Sequence, residues 1–203
     1  GGETSAIMGK IDVILIKQLL DLKAVAIYSI PFYAGNLIGA PLRSLAPITY
    51  TLISDYWKAG NKQKLLEIYK QTSINQLLIS GFVFLCIWLN VDQIMLFLGD
   101  KFGTNEAKYV LLFVSLGQLI NSASGASGQI ISASKHYRFT LYVQLILLIF
   151  TVGFQLLLIP KIGIIGAAAG AALAGVLFNV SKVAFLYFKY AFQPFDFKYL
   201  KAT

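Results

Sequence analysis

Phe139-Thr-Leu-Tyr-Val-Gln-Leu-Ile-Leu-Leu-Ile-Phe-Thr-Val-Gly-Phe-Gln-Leu-Leu-Leu158 contains no charged residue. A helix of this length is about 30 Å long, which is the thickness of the hydrocarbon core of a bilayer. Pro160 and Lys161 interrupt the run, and a second apolar run starts near Ile162. Within it Gly166, Gly170 and Ala174 recur every four residues, a small-residue stripe along which helices approach closely in membranes. These residues predict two consecutive spanning helices, the second with a packing face.

The same alternation continues upstream. Ile7 to Leu20 is apolar except for Lys10, Asp12, Lys17 and Gln18, and Ala24 to Ile53 is a long run that Pro31, Gly35, Gly39, Pro41 and Pro47 should kink. Ile74 to Leu89 reads as a third span and Ala107 to Ser132 as a fourth, with Ser124 and Gly128 at small-xxx-small spacing. Between spans, Val91 to Asp100 is too short to cross and reads as an interfacial turn. Residues 61–73 (NKQKLLEIYKQTS) are basic and amphipathic, and are expected to lie along the headgroups as a linker helix.

The composition agrees with this reading. Hydrophobic residues make up 57% of the chain and charged residues 13%, where a soluble domain carries roughly 25% charged. Mean hydropathy is +0.71. The expected architecture is all-α, a polytopic transmembrane bundle of about six spanning helices with residues 1–203 forming a single lobe. The net charge of +8 does not indicate nucleic acid, because the lysines sit between apolar runs instead of on one face. They instead set topology. Ten Lys and Arg residues, including Lys58, Lys62, Lys64, Lys70, Lys135, Arg138, Lys182 and Lys189, fall on one side and five on the other, which places the first of these in the cytoplasm. Trp57 and Trp88 then fall at opposite interfaces. The chain lacks an initiator Met and stops after a basic aromatic segment, so it is expected to be a fragment.

Enzyme chemistry finds little support. His136 is the lone histidine and lies in a short loop beside Lys135, Cys86 is a lone thiol in an apolar run, and the glycine-rich segments follow no strand. No metal or cofactor is implied. The informative residues are the ionisable ones at membrane depth, where a charge costs at least about 2.5 kcal/mol unless it faces protein or water. These are Lys10, Asp12 and Arg43. Lys17 can snorkel to the interface or pair with Asp21. In a hairpin turning near Leu22, Asp12 lies level with Tyr33 to Asn36, and Arg43 with Glu3. Two accounts follow. In one, Glu3 pairs with Arg43 and Asp12 bonds Tyr33 or Asn36, all of it structural. In the other, Lys10 and Arg43 form the cationic wall of a polar cavity, with Arg43 suited to phosphate oxygens by its planar fork.

The stretch Asp12-Val-Ile-Leu with Ala24-Val-Ala-Ile-Tyr28 resembles a signature at the seventh and eighth helices of bacterial polysaccharide (O-antigen) flippases. These belong to the multidrug/oligosaccharidyl-lipid/polysaccharide exporter superfamily. Leu158-Ile-Pro160-Lys-Ile-Gly163-Ile-Ile-Gly166-Ala-Ala resembles the turn between that family's eleventh and twelfth helices, and the basic segment after Trp57 resembles its cytoplasmic linker. Ala26 stands where the family often has Gly. The resemblance implies the second lobe of a two-lobe transporter in the bacterial inner membrane. Such a transporter moves a polyprenyl-pyrophosphate-linked glycan outward by alternating access, in lipopolysaccharide or related polysaccharide biosynthesis. Lys10, Asp12, Tyr28, Asn36 and Arg43 would line its cavity. Its partners would be the lipid-linked oligosaccharide, membrane lipids and an N-terminal lobe of the same protein. The rivals are a cation-coupled multidrug exporter, a glycan polymerase component and a non-transporting scaffold.

Overall fold

The computed structural model describes residues 2–99 and 105–195, with the backbone alone for residues 2–9 and 98. The expected Glu3 to Arg43 pair therefore lies outside the described side chains. Among the described residues there is no strand. The helices are α1 (Gly2–Leu19), α2 (Leu22–Asn36), a 3-10 turn (Leu37–Gly39), α3 (Ala40–Lys58), α4 (Lys62–Leu89), α5 (Val91–Leu98), α6 (Asn105–Ala123), α7 (Ser127–Ala133) and α8 (Tyr137–Tyr190). Among the described residues, three stretches are long and apolar enough to cross a membrane: Leu22–Lys58, Lys62–Leu89 and Tyr137–Tyr190. The pair α6 and α7, bent by 52°, makes a fourth as one broken span. The protein is an all-helical membrane bundle. Helix α1 falls short of that apolarity because its 18 residues include Glu3, Lys10, Asp12 and Lys17.

The 54 residues of α8 would make about 80 Å of straight helix, more than twice the bilayer core. They do not run straight. Pro160 removes a backbone donor, and Ile162 and Gly163 leave helical geometry, Gly163 at φ +60, a region that side-chain-bearing residues rarely adopt. The arms 137–161 and 164–190 then pack antiparallel. A β-carbon on Gly166 would lie 2.5 Å from the carbonyl of Leu158, and one on Gly170 would lie 3.1 Å from the backbone nitrogen of Gln155. The small-residue stripe is thus the inner face of a hairpin.

Helix α6 packs on α2, α4 and α8, while α1 packs on α2 and α8. Two apolar clusters hold opposite ends of the bundle. At one end Ile16, Tyr28, Val110, Val114, Ile159 and Ile164 join α1, α2, α6 and the α8 turn. At the other, Ile53, Leu65, Tyr69, Ile130, Ile131, Leu186 and Phe192 meet, beside Trp57, whose ring nitrogen donates to the Ile130 carbonyl at 3.1 Å. This second end carries Lys58, Lys62, Lys64, Lys135, Arg138 and Lys189, so folding gathers the basic residues that sequence reading placed together. Exposed apolar side chains such as Phe82, Leu78, Leu145 and Ile149 cover the flanks, which suits lipid.

Two elements differ from expectation. Residues 61–73 do not form a separate surface helix. They are the first turns of α4, which Asn61 caps by accepting from the Lys64 amide, and Leu65, Tyr69 and Ser73 are buried against protein. The buried stripe of this segment, Leu65 and Tyr69, packs against α3, α7 and the end of α8. The fourth span is broken rather than continuous. Ser124 to Ala126 leaves the helix at Gly125, φ +50, whose absent β-carbon lets Ser73 of α4 approach. Gly128, read as a contact residue, has nothing within 4 Å of its β-carbon position.

Gly166→Val should force the α8 arms apart and cost about 1–3 kcal/mol or more. Thermal unfolding of the detergent-purified full-length protein should show a lowered Tm for Gly166→Val and an unchanged or raised one for Gly81→Ala, whose helical site is open. Equal melting of the two variants would contradict the hairpin.

Candidate functional site

Between the two apolar clusters lies a cavity of about 480 Å³. Its wall includes Asp12 of α1, Asn36 of α2, Arg43 of α3, Gln118 of α6, and Thr140, Asn179 and Lys182 from both arms of α8. Two helix breaks border it: Asn36 and Arg43 flank the Leu37–Gly39 turn, and Gly125 lies in the break after α6.

Asp12 is 1% exposed, and its carboxylate is bonded at both oxygens. Tyr28 of α2 donates to Oδ2 at 2.7 Å, and Gln155 of α8 donates to Oδ1 at 2.6 Å. The Gln155 amide also donates to the Ala167 carbonyl at 3.1 Å, tying the two α8 arms together. The expected partners of Asp12 were Tyr33 or Asn36. Tyr28 takes that place because α1 and α2 turn at Leu20 and Asp21, one or two residues earlier than supposed, which moves every level residue toward the turn. Tyr33 is instead 70% exposed. Asp21 caps α2 by accepting from the Ala24 amide at 2.6 Å.

Arg43 lines the cavity and donates from Nη2 to the Asn36 carbonyl at 2.6 Å. The 3-10 turn has diverted the amide that would otherwise reach that carbonyl: the Ala40 N–H bonds Leu37. Arg43 therefore completes the break between α2 and α3, using one of its five N–H donors. Asn36 also accepts from Gln118 at 2.7 Å through its side chain. Gly39 makes room for this group, since a β-carbon there would lie 2.2 Å from Gln118 and 2.9 Å from Arg43.

Of the five candidate residues, Asp12, Asn36 and Arg43 meet at the cavity. Tyr28 is fully buried behind it as the partner of Asp12. Lys10 is exposed and does not line the cavity. Lys182 was missed. It was counted with the topology-setting lysines, yet it lies eight residues inside the end of α8 and is 6% exposed. The signal was present: continuing the Gly166, Gly170, Ala174 stripe in steps of four passes Phe178 and reaches Lys182. Its ammonium sits 4.4 Å from the centre of the Phe178 ring. Among the described residues, no group of three or more His, Cys, Asp or Glu side chains could hold a metal ion.

Over residues 4–157 the chain matches the MatE family model. The chain belongs to the MatE family. MatE proteins are transporters of the multidrug/oligosaccharidyl-lipid/polysaccharide superfamily, which includes multidrug exporters and polysaccharide and lipid flippases, and they are not enzymes. The protein is therefore a multi-pass membrane transporter of that superfamily. No curated protein and no solved structure matches it. The match covers Asp12, Arg43 and the first arm of α8 as far as residue 157, and stops before Gly163 and Lys182.

Tyr28→Phe or Gln155→Leu leaves one oxygen of a buried carboxylate without a donor, at a cost of about 1–3 kcal/mol. Each should lower the Tm of the full-length protein. In an Asp12→Asn background the loss from Tyr28→Phe should shrink, because the two groups interact directly. Strictly additive losses would show that the Asp12 cluster does not hold the fold.

Proposed function

We propose that this MatE lobe belongs to a flippase for polyprenyl-pyrophosphate-linked oligosaccharides, acting in polysaccharide biosynthesis at the bacterial inner membrane. The observation that carries this reading is the charge of the cavity. Arg43 and Lys182 both line it, and the one acid beside them, Asp12, is already bonded twice. A lining with excess positive charge attracts an anionic headgroup, and Arg43 has donors left for phosphate oxygens. The basic end of the bundle would face the cytoplasm, where such lipids are loaded. The lobe would work with an N-terminal lobe of the same transporter, and the helix breaks would let it rearrange during alternating access.

Asp12 favours a second reading, a cation-coupled multidrug exporter, because a buried membrane acid suits cation binding. Its two donors argue against it, since they oppose a positively charged ligand at the same oxygens.

Reconstituted full-length protein separates the two. Arg43→Ala should slow flipping of a fluorescent lipid-linked oligosaccharide by about tenfold or more, the equivalent of one charge-assisted hydrogen bond, with Arg43→Lys intermediate. Efflux of a cationic dye should be absent from the wild type. Dye efflux that Asp12→Asn abolishes, without oligosaccharide flipping, would establish the exporter reading instead.

A further inference from the structure

Lys182 is the one buried lysine among the described side chains. Burial of an ammonium is costly without a partner, and partners are usually carboxylates or carbonyls. Among the described residues Lys182 has neither. Its ammonium rests instead on the face of Phe178 at 4.4 Å. A ring face attracts the ammonium without using any of its three N–H donors, so all three remain for a ligand in the cavity. Two neighbours on the wall extend the polar surface. Thr140 Oγ1 is buried with no hydrogen bond, and Asn179 shares an edge of the cavity with Lys182, its own oxygen accepting from Ser124 at 2.8 Å.

We infer that Lys182, held over Phe178, anchors a phosphoryl-binding subsite inside this lobe, with Arg43 supplying a second cation from α3. The site lies within one helical lobe and is built by α3 and both arms of α8. Two cations on separate helices suit a ligand with several charged oxygens better than a lone carboxylate, which one of them would satisfy. A cavity of about 480 Å³ has room for a pyrophosphate group and the first part of what it carries. The inference rests on the anionic-lipid reading above, and narrows it to one side chain that the family match does not cover.

The test measures binding to full-length protein in nanodiscs, using farnesyl pyrophosphate, inorganic pyrophosphate and farnesol as probes. Wild type should bind farnesyl pyrophosphate and not farnesol. Competition by inorganic pyrophosphate would show that the free anion suffices, and its failure to compete would show that the lipid-borne headgroup is required; both fit the subsite. Lys182→Gln should weaken farnesyl pyrophosphate binding by about tenfold or more, and Lys182→Arg should keep it within a few-fold. Lys182→Met, which fills the same volume without charge, should behave as Lys182→Gln while eluting as a monodisperse, folded protein. Unchanged affinity in Lys182→Gln and Lys182→Met, or no binding of either pyrophosphate by wild type, would overturn the inference. If Arg43→Ala still abolishes oligosaccharide flipping in the first of those cases, the subsite fails and the functional reading stands. If Lys182 governs pyrophosphate binding in a protein that flips no glycolipid, the reverse holds.

Discussion

The buried carboxylate of Asp12 is the constraint on which the rest of the bundle depends. An ionised group at membrane depth persists only if its oxygens are bonded, and here the donors come from two other helices, Tyr28 of α2 and Gln155 of α8. Satisfying one residue therefore sets the register of the α1 and α2 hairpin and docks it on α8. Gln155 carries the constraint further by donating to Ala167 across the α8 turn. The close approach of the two α8 arms is in turn possible only because Gly166 and Gly170 lack side chains. A chain of polar contacts thus runs from the first helix to the last through a mainly apolar interior.

The cavity follows from a second constraint. Backbone groups freed at membrane depth must be bonded within the protein, so a helix can break only where side chains replace the lost bonds. At the break after α2, Arg43 donates to the Asn36 carbonyl and Ser80 donates to the Ile38 carbonyl at 2.9 Å. At the break after α6, Thr72 accepts from the Ala126 amide, and Ser80 and Ser122 bond each other at 2.8 Å. The serines and threonines of α4 therefore serve both breaks. Arg43 borders the cavity that Lys182 also lines, and through Nη2 it holds the turn between α2 and α3.

Much of this was legible in the sequence because bilayer chemistry is severe. Long apolar runs, the Pro160 and Gly163 turn, the kinked Ala24 to Ile53 segment and the grouping of basic residues all follow from length, charge and backbone constraints. Partners were less legible. Tyr28 was readable as a candidate through the family-like signature, but its bond to Asp12 depended on a turn placed one or two residues early. Gln155 could not be read at all, since pairing it with Asp12 requires knowing how α8 docks. The protein contacts of residues 61–73 were not legible, because an amphipathic stripe looks the same whether it meets headgroups or a protein neighbour. Lys182 was hidden by its position near the basic end, where lysines ordinarily mark topology. Lys10, read from its place in an apolar run as a cavity residue, is exposed on α1 and does not line the cavity that Asp12, Asn36 and Arg43 share.

If Arg43 and Lys182 set its character, the cavity of the bundle is water-accessible and positive. Asn121 lines that cavity, and Cys86, exposed on α4, is the one cysteine of these 203 residues. Asn121→Cys in a Cys86→Ser background can be reacted with a negatively and a positively charged methanethiosulfonate of similar size, with each rate normalised to a free thiol. The account predicts that the anionic reagent modifies Asn121→Cys several-fold faster than the cationic one, and that the preference falls in Lys182→Gln. Faster modification by the cationic reagent, or no modification by either, would contradict it.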